Sequence, residues 1–185
     1  HIPRTAGSCI ETLIDERNWW EKSLRPQKHL LASQAKEIYA SHWDKYFKFS
    51  IVRNPWARMV SMLKWGHFYG VSVSEGLLDL AIYKKQYGFP AAVEYDQRYH
   101  SPSDIPKGRP GRGYSNILNE KLDFVGTYEN LEEDSKFIFQ QIGLKKRLSF
   151  AAYDSAQYQP HYTPKTEKEV DLLYRYDNLH YNYCF

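Results

Sequence analysis

The chain has 185 residues, of which 42% are apolar, and it can therefore bury a hydrophobic core without metals or disulfides. Its 25 basic residues are balanced by 22 acidic ones, and the net charge of +3 argues against a dedicated nucleic-acid-binding protein. No run of residues is long and apolar enough to cross a membrane, so we expect no membrane contact within this segment.

The first ten residues, HIPRTAGSCI, predict a turn of small residues that leads into a helix over residues 7–17. Such a turn points backbone N–H groups inward, and the helix N-terminus adds partial positive charge. The side chains of Arg4, Thr5 and Ser8 add a permanent charge and two hydroxyl donors. The segment predicts a phosphate-binding turn, although it lacks the G-x-x-x-x-G-K-[ST] spacing of a nucleoside-triphosphate loop.

The segment FKFSIVRNPWARMVS begins with aromatic and β-branched residues that predict a strand over residues 47–52. Asn54 and Pro55 predict the cap and first position of a following helix. Arg53 therefore ends the strand, where ligands bind in an open parallel sheet, and it can bind a phosphate together with Ser61. The alternative is an arginine that closes a salt bridge across a loop, but the pairing of the two segments favours a phosphate site.

Further helices are predicted where a capping residue precedes an apolar pattern, at Ser33, Ser72, Asn130 and Thr163. The first of these helices runs to about Ala40, and the third ends at Gly143. Residues 123–126 predict a second strand. Because strands and helices alternate, the sequence predicts an α/β fold with a parallel sheet covered by helices on both faces.

Residues 95–114 are rich in proline, glycine and charged side chains, and no secondary structure is predicted for most of them. A loop of this length is either a functional loop or a mobile, solvated one. Its tyrosines offer flat faces to sugar rings, and its arginines offer planar donors to carboxylate or sulfate groups. Both interpretations, a solvated loop and an acceptor-binding loop, remain open.

Together, HIPRTAGS and FSIVRNPWARMVS resemble the 5′-phosphosulfate loop and the 3′-phosphate motif of sulfotransferases that use 3′-phosphoadenosine 5′-phosphosulfate (PAPS). The similarity is to the carbohydrate branch (family 2, of heparan and chondroitin type) and its small bacterial relatives, and DFVGTYENL extends it. The resemblance implies a single sulfotransferase domain over residues 1–185, with a three-layer α/β fold of the P-loop NTPase type. Its central parallel sheet would be flanked by helices, and an N-terminal strand would have been lost upstream of His1.

The implied reaction transfers a sulfuryl group from PAPS to a hydroxyl of an acceptor, expected to be a saccharide. The product would be adenosine 3′,5′-bisphosphate, and no metal is expected. The resemblance assigns donor binding to residues of both motifs: Arg4, Thr5, Ala6, Gly7, Ser8, Cys9, Arg53 and Ser61. It makes His29 the catalytic base, because a neutral imidazole accepts a hydroxyl proton near physiological pH, and His42 is the reserve candidate.

Arg4 is a catalytic candidate that departs from the family, which usually has lysine at this position, in contact with the bridging oxygen and the leaving phosphate. Arginine keeps the positive charge but cannot give up a proton. The alternative function is therefore a catalytically weak nucleotide-binding module that recognises an anionic glycan. A second departure is Thr127, where relatives often carry arginine. The expected compartment is the cytoplasm for a bacterial protein, or the Golgi lumen if a membrane anchor was lost upstream of His1.

Overall fold

The computed structural model describes residues 1–2, 4–15, 30–62, 64, 114–148 and 155–185. The chain forms two compact units, of which unit 1 comprises His1–Arg53 and Asn116–Tyr153, and unit 2 comprises Asn54–Ser115 and Asp154–Phe185. The helix predicted from Ser72 lies outside the described residues. The single domain predicted over residues 1–185 stays a prediction.

Among the described elements, two α-helices precede the first strand, two lie between the strands and two follow the second. The helices are α1 (Gly7–Asp15), α2 (Ala32–Ile38), α3 (Pro55–Met62), α4 (Tyr114–Ile117), α5 (Leu131–Gln141) and α6 (Pro164–His180), and the strands are β1 (Phe49–Val52) and β2 (Phe124–Thr127). Short 3₁₀ helices cover Trp43–Lys45, Tyr128–Asn130 and Ser155–His161. This composition is compatible with the predicted α/β class, while the three-layer, P-loop type of fold stays a prediction.

The two strands of unit 1 pair in parallel, as the sequence predicted. The register runs from Phe49 opposite Phe124 to Val52 opposite Thr127. The carboxyl ends of both strands therefore meet at one edge of the sheet, which places Arg53, the residue after β1, beside Tyr128, the residue after β2. This register positions the candidate site described below.

The core of unit 1 lies between this sheet and the helices α1 and α5. Its buried members are apolar side chains from both strand and helix segments: Ile10, Ile51, Tyr128, Leu131, Ile138, Phe139 and Leu148. Gly126 of β2 allows α5 to approach closely, because a Cβ atom there would lie 2.8 Å from Asp134 Oδ2 and 2.9 Å from Ile51 Cδ1. Only glycine fits this position without movement of a neighbour.

The predicted start of the second helix at Ser33 is wrong by two residues. The helix α2 begins at Ala32 and its cap position is Leu31, whose backbone N–H donates to Gln34 Oε1 at 2.9 Å. The backbone N–H of Ser33 donates instead to Asn119 Oδ1 at 2.9 Å. A tertiary contact across 86 residues of chain therefore replaces the local cap that the sequence pattern predicted.

The helix α5 has the predicted bounds but not the predicted cap. Asn130 precedes it, yet its side chain accepts no capping hydrogen bond and donates to Asp134 Oδ1 at 2.9 Å. The other oxygen of Asp134 accepts from the backbone N–H of Thr127 at 2.6 Å, which ties the end of β2 to α5. Gly143 follows the helix at a φ of 72°, the left-handed conformation that ends many helices.

Unit 2 confirms both helices predicted from a capping residue followed by proline. Asn54 Oδ1 accepts from the backbone N–H of Ala57 at 3.1 Å at the start of α3. Thr163 Oγ1 accepts from the backbone N–H of Thr166 at 3.2 Å at the start of α6. None of the helices that the structure describes is long and apolar enough to span a membrane.

The tyrosine-rich C-terminus packs against α3 within unit 2. Phe185 makes edge-to-face ring contacts with Trp56, Tyr158 and Tyr162, with centroids 5.3–5.7 Å apart. Asn54 Nδ2 donates to the Cys184 carbonyl at 3.0 Å. The end of the chain therefore stabilises the helix that carries Ser61.

Candidate phosphate-binding site

The turn before α1 contains two residues in the left-handed backbone region. Arg4 has a φ of 66° and Ala6 a φ of 64°, and for residues with a Cβ atom this conformation costs about 1–2 kcal/mol each. Left-handed residues in a turn direct successive backbone N–H groups to one side, as in anion-binding nests. Strain of this kind persists at sites where the conformation serves a function.

The side chain of Thr5 points into unit 1. It is 1% exposed, and its Oγ1 donates to the Ile2 carbonyl at 2.9 Å. This buried hydrogen bond stabilises the turn before α1. The hydroxyl that the sequence predicts as a donor to a phosphate therefore donates within the turn itself.

The helix α1 starts in tight contact with the first residue of the described chain. The carbonyl of Ala6 accepts from the backbone N–H groups of Cys9 at 3.0 Å and Ile10 at 3.2 Å, which defines the first turn. A Cβ atom on Gly7 would overlap the His1 imidazole, so the position requires glycine. The first turn of a helix directs N–H groups toward its N-terminus, where an anion is favoured.

Arg53 connects the two predicted motifs within unit 1. Its side chain is 5% exposed, and its Nη1 donates to the Arg4 carbonyl at 3.2 Å. The guanidinium carbon lies 3.9 Å from the ring centroid of Tyr128, a stacked cation–π contact. A permanent charge held this deeply next to a strained turn favours an anion at the same place.

Tyr128 is a site residue that the sequence reasoning missed. The sequence prediction includes it only within DFVGTYENL, and no local pattern connects it with Arg53, 75 positions earlier. The signal that would have found it is the parallel register of the two strands, continued by one residue. Burial raises the pKa of the Tyr128 hydroxyl, and the neighbouring Arg53 charge opposes that shift, so the hydroxyl is neutral at physiological pH.

The described part of the structure does not place the other predicted site residues beside Arg4 and Arg53. Ser61 lies on α3 of unit 2 and is partly exposed, whereas Arg53 is the last residue of this stretch of unit 1. Their joint role therefore stays a prediction. Ser8 and Cys9 lie in the first turn of α1, with the Cys9 thiol free and exposed.

Of the two histidine candidates for the base, His42 lies in the described part of the chain. His29 lies outside the described residues, so its role stays a prediction. His42 is exposed on unit 1, with its Nδ1 at 2.7 Å from Ser41 Oγ and its ring 5.4 Å from that of Tyr46. These local contacts hold the His42 ring beside the Trp43–Lys45 turn.

The candidate acceptor-binding loop is described only at its C-terminal end. Residues 95–113 lie outside the described part of the chain. Tyr114 is fully buried in unit 2, where its backbone N–H donates to Asp177 Oδ2 at 2.7 Å. The Arg58 guanidinium lies 5.3 Å from the Tyr114 ring. The C-terminal end of the segment is therefore held by the buried contacts of Tyr114.

Among the described residues, no group of three or more His, Cys, Asp and Glu side chains could hold a metal ion. The site's polar groups are instead backbone N–H groups and arginine side chains, which are donors to anions. Such donors in unit 1 could hold a phosphate-bearing ligand, and the binding of one there stays a prediction.

Two known proteins are similar to the chain. Carbohydrate sulfotransferase 14 of Danio rerio is 27% identical over 154 residues, which cover 75% of this chain and 38% of that protein. An uncharacterized protein of Archaeoglobus fulgidus is 33% identical over 110 residues, which cover 57% of this chain and 75% of that protein. The chain belongs to the same family as this archaeal protein.

The name of the archaeal protein states no activity. The match to the fish protein indicates a distant relationship to a carbohydrate sulfotransferase. The chain spans well under half the length of that enzyme. No family model matches the chain, and no solved structure matches it.

Proposed function

We propose that the chain is a sulfotransferase that transfers a sulfuryl group from PAPS to a hydroxyl of an acceptor, expected to be a saccharide. The observation that carries the proposal is the hydrogen bond from Arg53 to the Arg4 carbonyl. It joins the segment expected to bind the 5′-phosphosulfate to the segment expected to bind the 3′-phosphate. The distant relationship to a carbohydrate sulfotransferase supports the same reaction class and the saccharide acceptor.

In this proposal the turn and the first residues of α1 hold the 5′-phosphate through backbone N–H groups, and Arg53 with Ser61 holds the 3′-phosphate. PAPS supplies the activated sulfuryl group. The side chain of Arg4 stabilises negative charge on the leaving phosphate, and the imidazole of His29 takes the proton of the acceptor hydroxyl. Positioning and charge stabilisation provide most of the rate enhancement in group transfer of this kind.

The proposal is tested by calorimetric titration with adenosine 3′,5′-bisphosphate and with 5′-AMP. Arg53→Ala should weaken binding of the bisphosphate by about 1.5–3 kcal/mol, the value of a charge-assisted contact, and binding of 5′-AMP much less. Arg147→Ala, which removes the same charge from an exposed position of unit 1, is the control and should leave both affinities unchanged. Equal losses for both ligands in Arg53→Ala would remove Arg53 from the 3′-phosphate site.

The second candidate function is a catalytically weak module that binds the nucleotide and recognises an anionic glycan. The observation that favours it is Arg4, because an arginine cannot donate a proton to the leaving phosphate. This function predicts that wild-type protein binds adenosine 3′,5′-bisphosphate and yet transfers no sulfuryl group to any member of a broad saccharide panel.

A further inference from the structure

The Arg53 guanidinium lies over the aromatic ring of Tyr128. The register places the two residues side by side at the carboxyl ends of β2 and β1. The guanidinium carbon lies 3.9 Å from the ring centroid, and both side chains are at least nine-tenths buried, at 8% and 5% exposed. A flat guanidinium at this distance lies against the face of the ring.

Stacking fixes the plane of a guanidinium without using its hydrogen-bond donors. All five N–H donors of arginine lie in the plane of the group, so a ring against its face leaves its edges directed at other partners. One edge of Arg53 donates to the Arg4 carbonyl in the strained turn. The ring and the carbonyl together define both the plane of the guanidinium and its rotation within that plane.

We infer that Tyr128 is a positioning residue, which holds the Arg53 guanidinium in the orientation that recognises the 3′-phosphate of the nucleotide donor. The inference rests on the proposed function, since it concerns the same donor site. It assigns to the aromatic face of Tyr128 a part of the enzyme's preference for a 3′-phosphorylated nucleotide. The hydroxyl contributes little, because the contact is made by the ring.

The test measures nucleotide preference, defined as the affinity for adenosine 3′,5′-bisphosphate divided by that for 5′-AMP, in a matched set of variants. Tyr128→Phe keeps the ring and should keep the preference. Tyr128→Leu removes the ring and should lower the preference roughly twofold to thirtyfold, the range that cation–π contacts span from exposed to desolvated sites. Phe139→Leu makes the same kind of change in the same core cluster, on α5, and should destabilise the fold without changing the preference.

A second series of variants keeps an aromatic ring at position 128 and therefore does not depend on whether Tyr128→Leu folds. Replacing Tyr128 by phenylalanine with one, two or three ring fluorines keeps the size of the ring and withdraws electron density from its face. The preference should fall stepwise with fluorination, while affinity for 5′-AMP stays constant. A side chain that only fills space would show no such trend.

Arg53→Ala in the same assay distinguishes a failure of the role proposed for Tyr128 from a failure of the proposed 3′-phosphate site. If Arg53→Ala abolishes the preference but the Tyr128→Leu and fluorinated variants keep it, the positioning role of Tyr128 is wrong and the proposed donor site stands. If wild-type protein shows no preference, or if Arg53→Ala retains it, the proposed 3′-phosphate site is wrong and the inference about Tyr128 fails with it.

Discussion

Arg4 contributes to the candidate site through both its main chain and its side chain. Its carbonyl accepts from Arg53, and its left-handed backbone forms the turn before α1. Its side chain supplies a charge where the resembling family usually has lysine. The backbone role does not depend on the side chain, so a substitution can change the chemistry and leave the turn in place.

Arg4→Lys should therefore give equal or faster sulfuryl transfer, because lysine keeps the charge and adds a group that can donate a proton. We expect donor affinity to change little. The measurement is turnover with a permissive saccharide acceptor, together with titration of adenosine 3′,5′-bisphosphate. Slower turnover in Arg4→Lys at unchanged affinity would contradict the proposed role of this position.

Ala6 is a second residue whose backbone conformation leads to a prediction. Replacing it by glycine removes the Cβ crowding of a φ of 64° and should raise the free energy of unfolding by about 0.5 kcal/mol, after the entropic cost of glycine. Ala35→Gly, in the middle of α2, should instead lower it by about 1 kcal/mol. Urea denaturation measures both variants, and destabilisation of similar size in both would show that Ala6 is not strained.

At the scale of elements, β1 and β2 are joined at their amino ends by Lys48 and Asp123. Asp123 Oδ2 accepts from the Lys48 backbone N–H at 2.7 Å and lies 2.9 Å from Lys48 Nζ. Lys48 Nζ also donates to the carbonyls of Trp43 and Tyr46. The Lys48 backbone N–H is thus taken by a side chain, which explains why β1 starts at Phe49 and not at position 47 as predicted.

The stability of this pair of strands should depend on pH. The hydrogen bonds from the backbone and side chain of Lys48 hold the pKa of Asp123 below its ordinary value of 3.8. Because the folded state favours the carboxylate, its contribution to stability is complete above that value and is lost as pH falls through the lowered folded pKa. Wild-type protein should therefore lose more stability on acidification than Asp123→Asn.

The matched control for that comparison is Asp44→Asn, which removes an exposed carboxylate from the Trp43–Lys45 turn of the same unit. Free energies of unfolding are measured by urea titration between about pH 7 and pH 2. A wild-type protein whose acid-induced loss equals that of Asp123→Asn would show that the Lys48 contact does not favour the carboxylate.

The sequence predicted elements best where a local signal agrees with packing. Pro55 fixes φ at the first position of its helix, the Thr163 side chain caps the first turn of α6, and Gly143 adopts the left-handed φ that follows α5. Each of these predictions is confirmed. The cap predicted at Ser33 is wrong, because that residue bonds to Asn119. Asn130 occupies the predicted cap position, but its side chain donates to Asp134 and accepts no capping bond. Capping side chains have alternative partners, and the tertiary structure selects among them.

At the scale of the whole molecule, the sequence predicted that the residue 4–9 turn and Arg53 serve one ligand, and unit 1 brings Arg4 and Arg53 into contact. The part played by Tyr128 depends on strand register across 75 positions, which no local pattern contains. The roles of His29, Ser61 and residues 95–114 remain predictions, because they depend on residues outside the described ranges or on both units.

The proposed sulfuryl transfer requires a base in addition to the proposed donor site. His29→Ala should lower turnover roughly 100-fold or more and leave the affinity for adenosine 3′,5′-bisphosphate nearly unchanged. His42→Ala is the matched comparison, since it removes an imidazole from an exposed position of unit 1. Near-normal turnover in His29→Ala, with the loss appearing in His42→Ala, would transfer the role of base to His42.

The most direct test of the central claim is a crystal structure of the chain with adenosine 3′,5′-bisphosphate, which requires no knowledge of the acceptor. We expect the 3′-phosphate within about 3 Å of the Arg53 guanidinium and of Ser61 Oγ. The 5′-phosphate should accept backbone N–H groups from the turn and first residues of α1. A nucleotide bound with its 3′-phosphate away from Arg53, or outside the turn before α1, would contradict the proposed function.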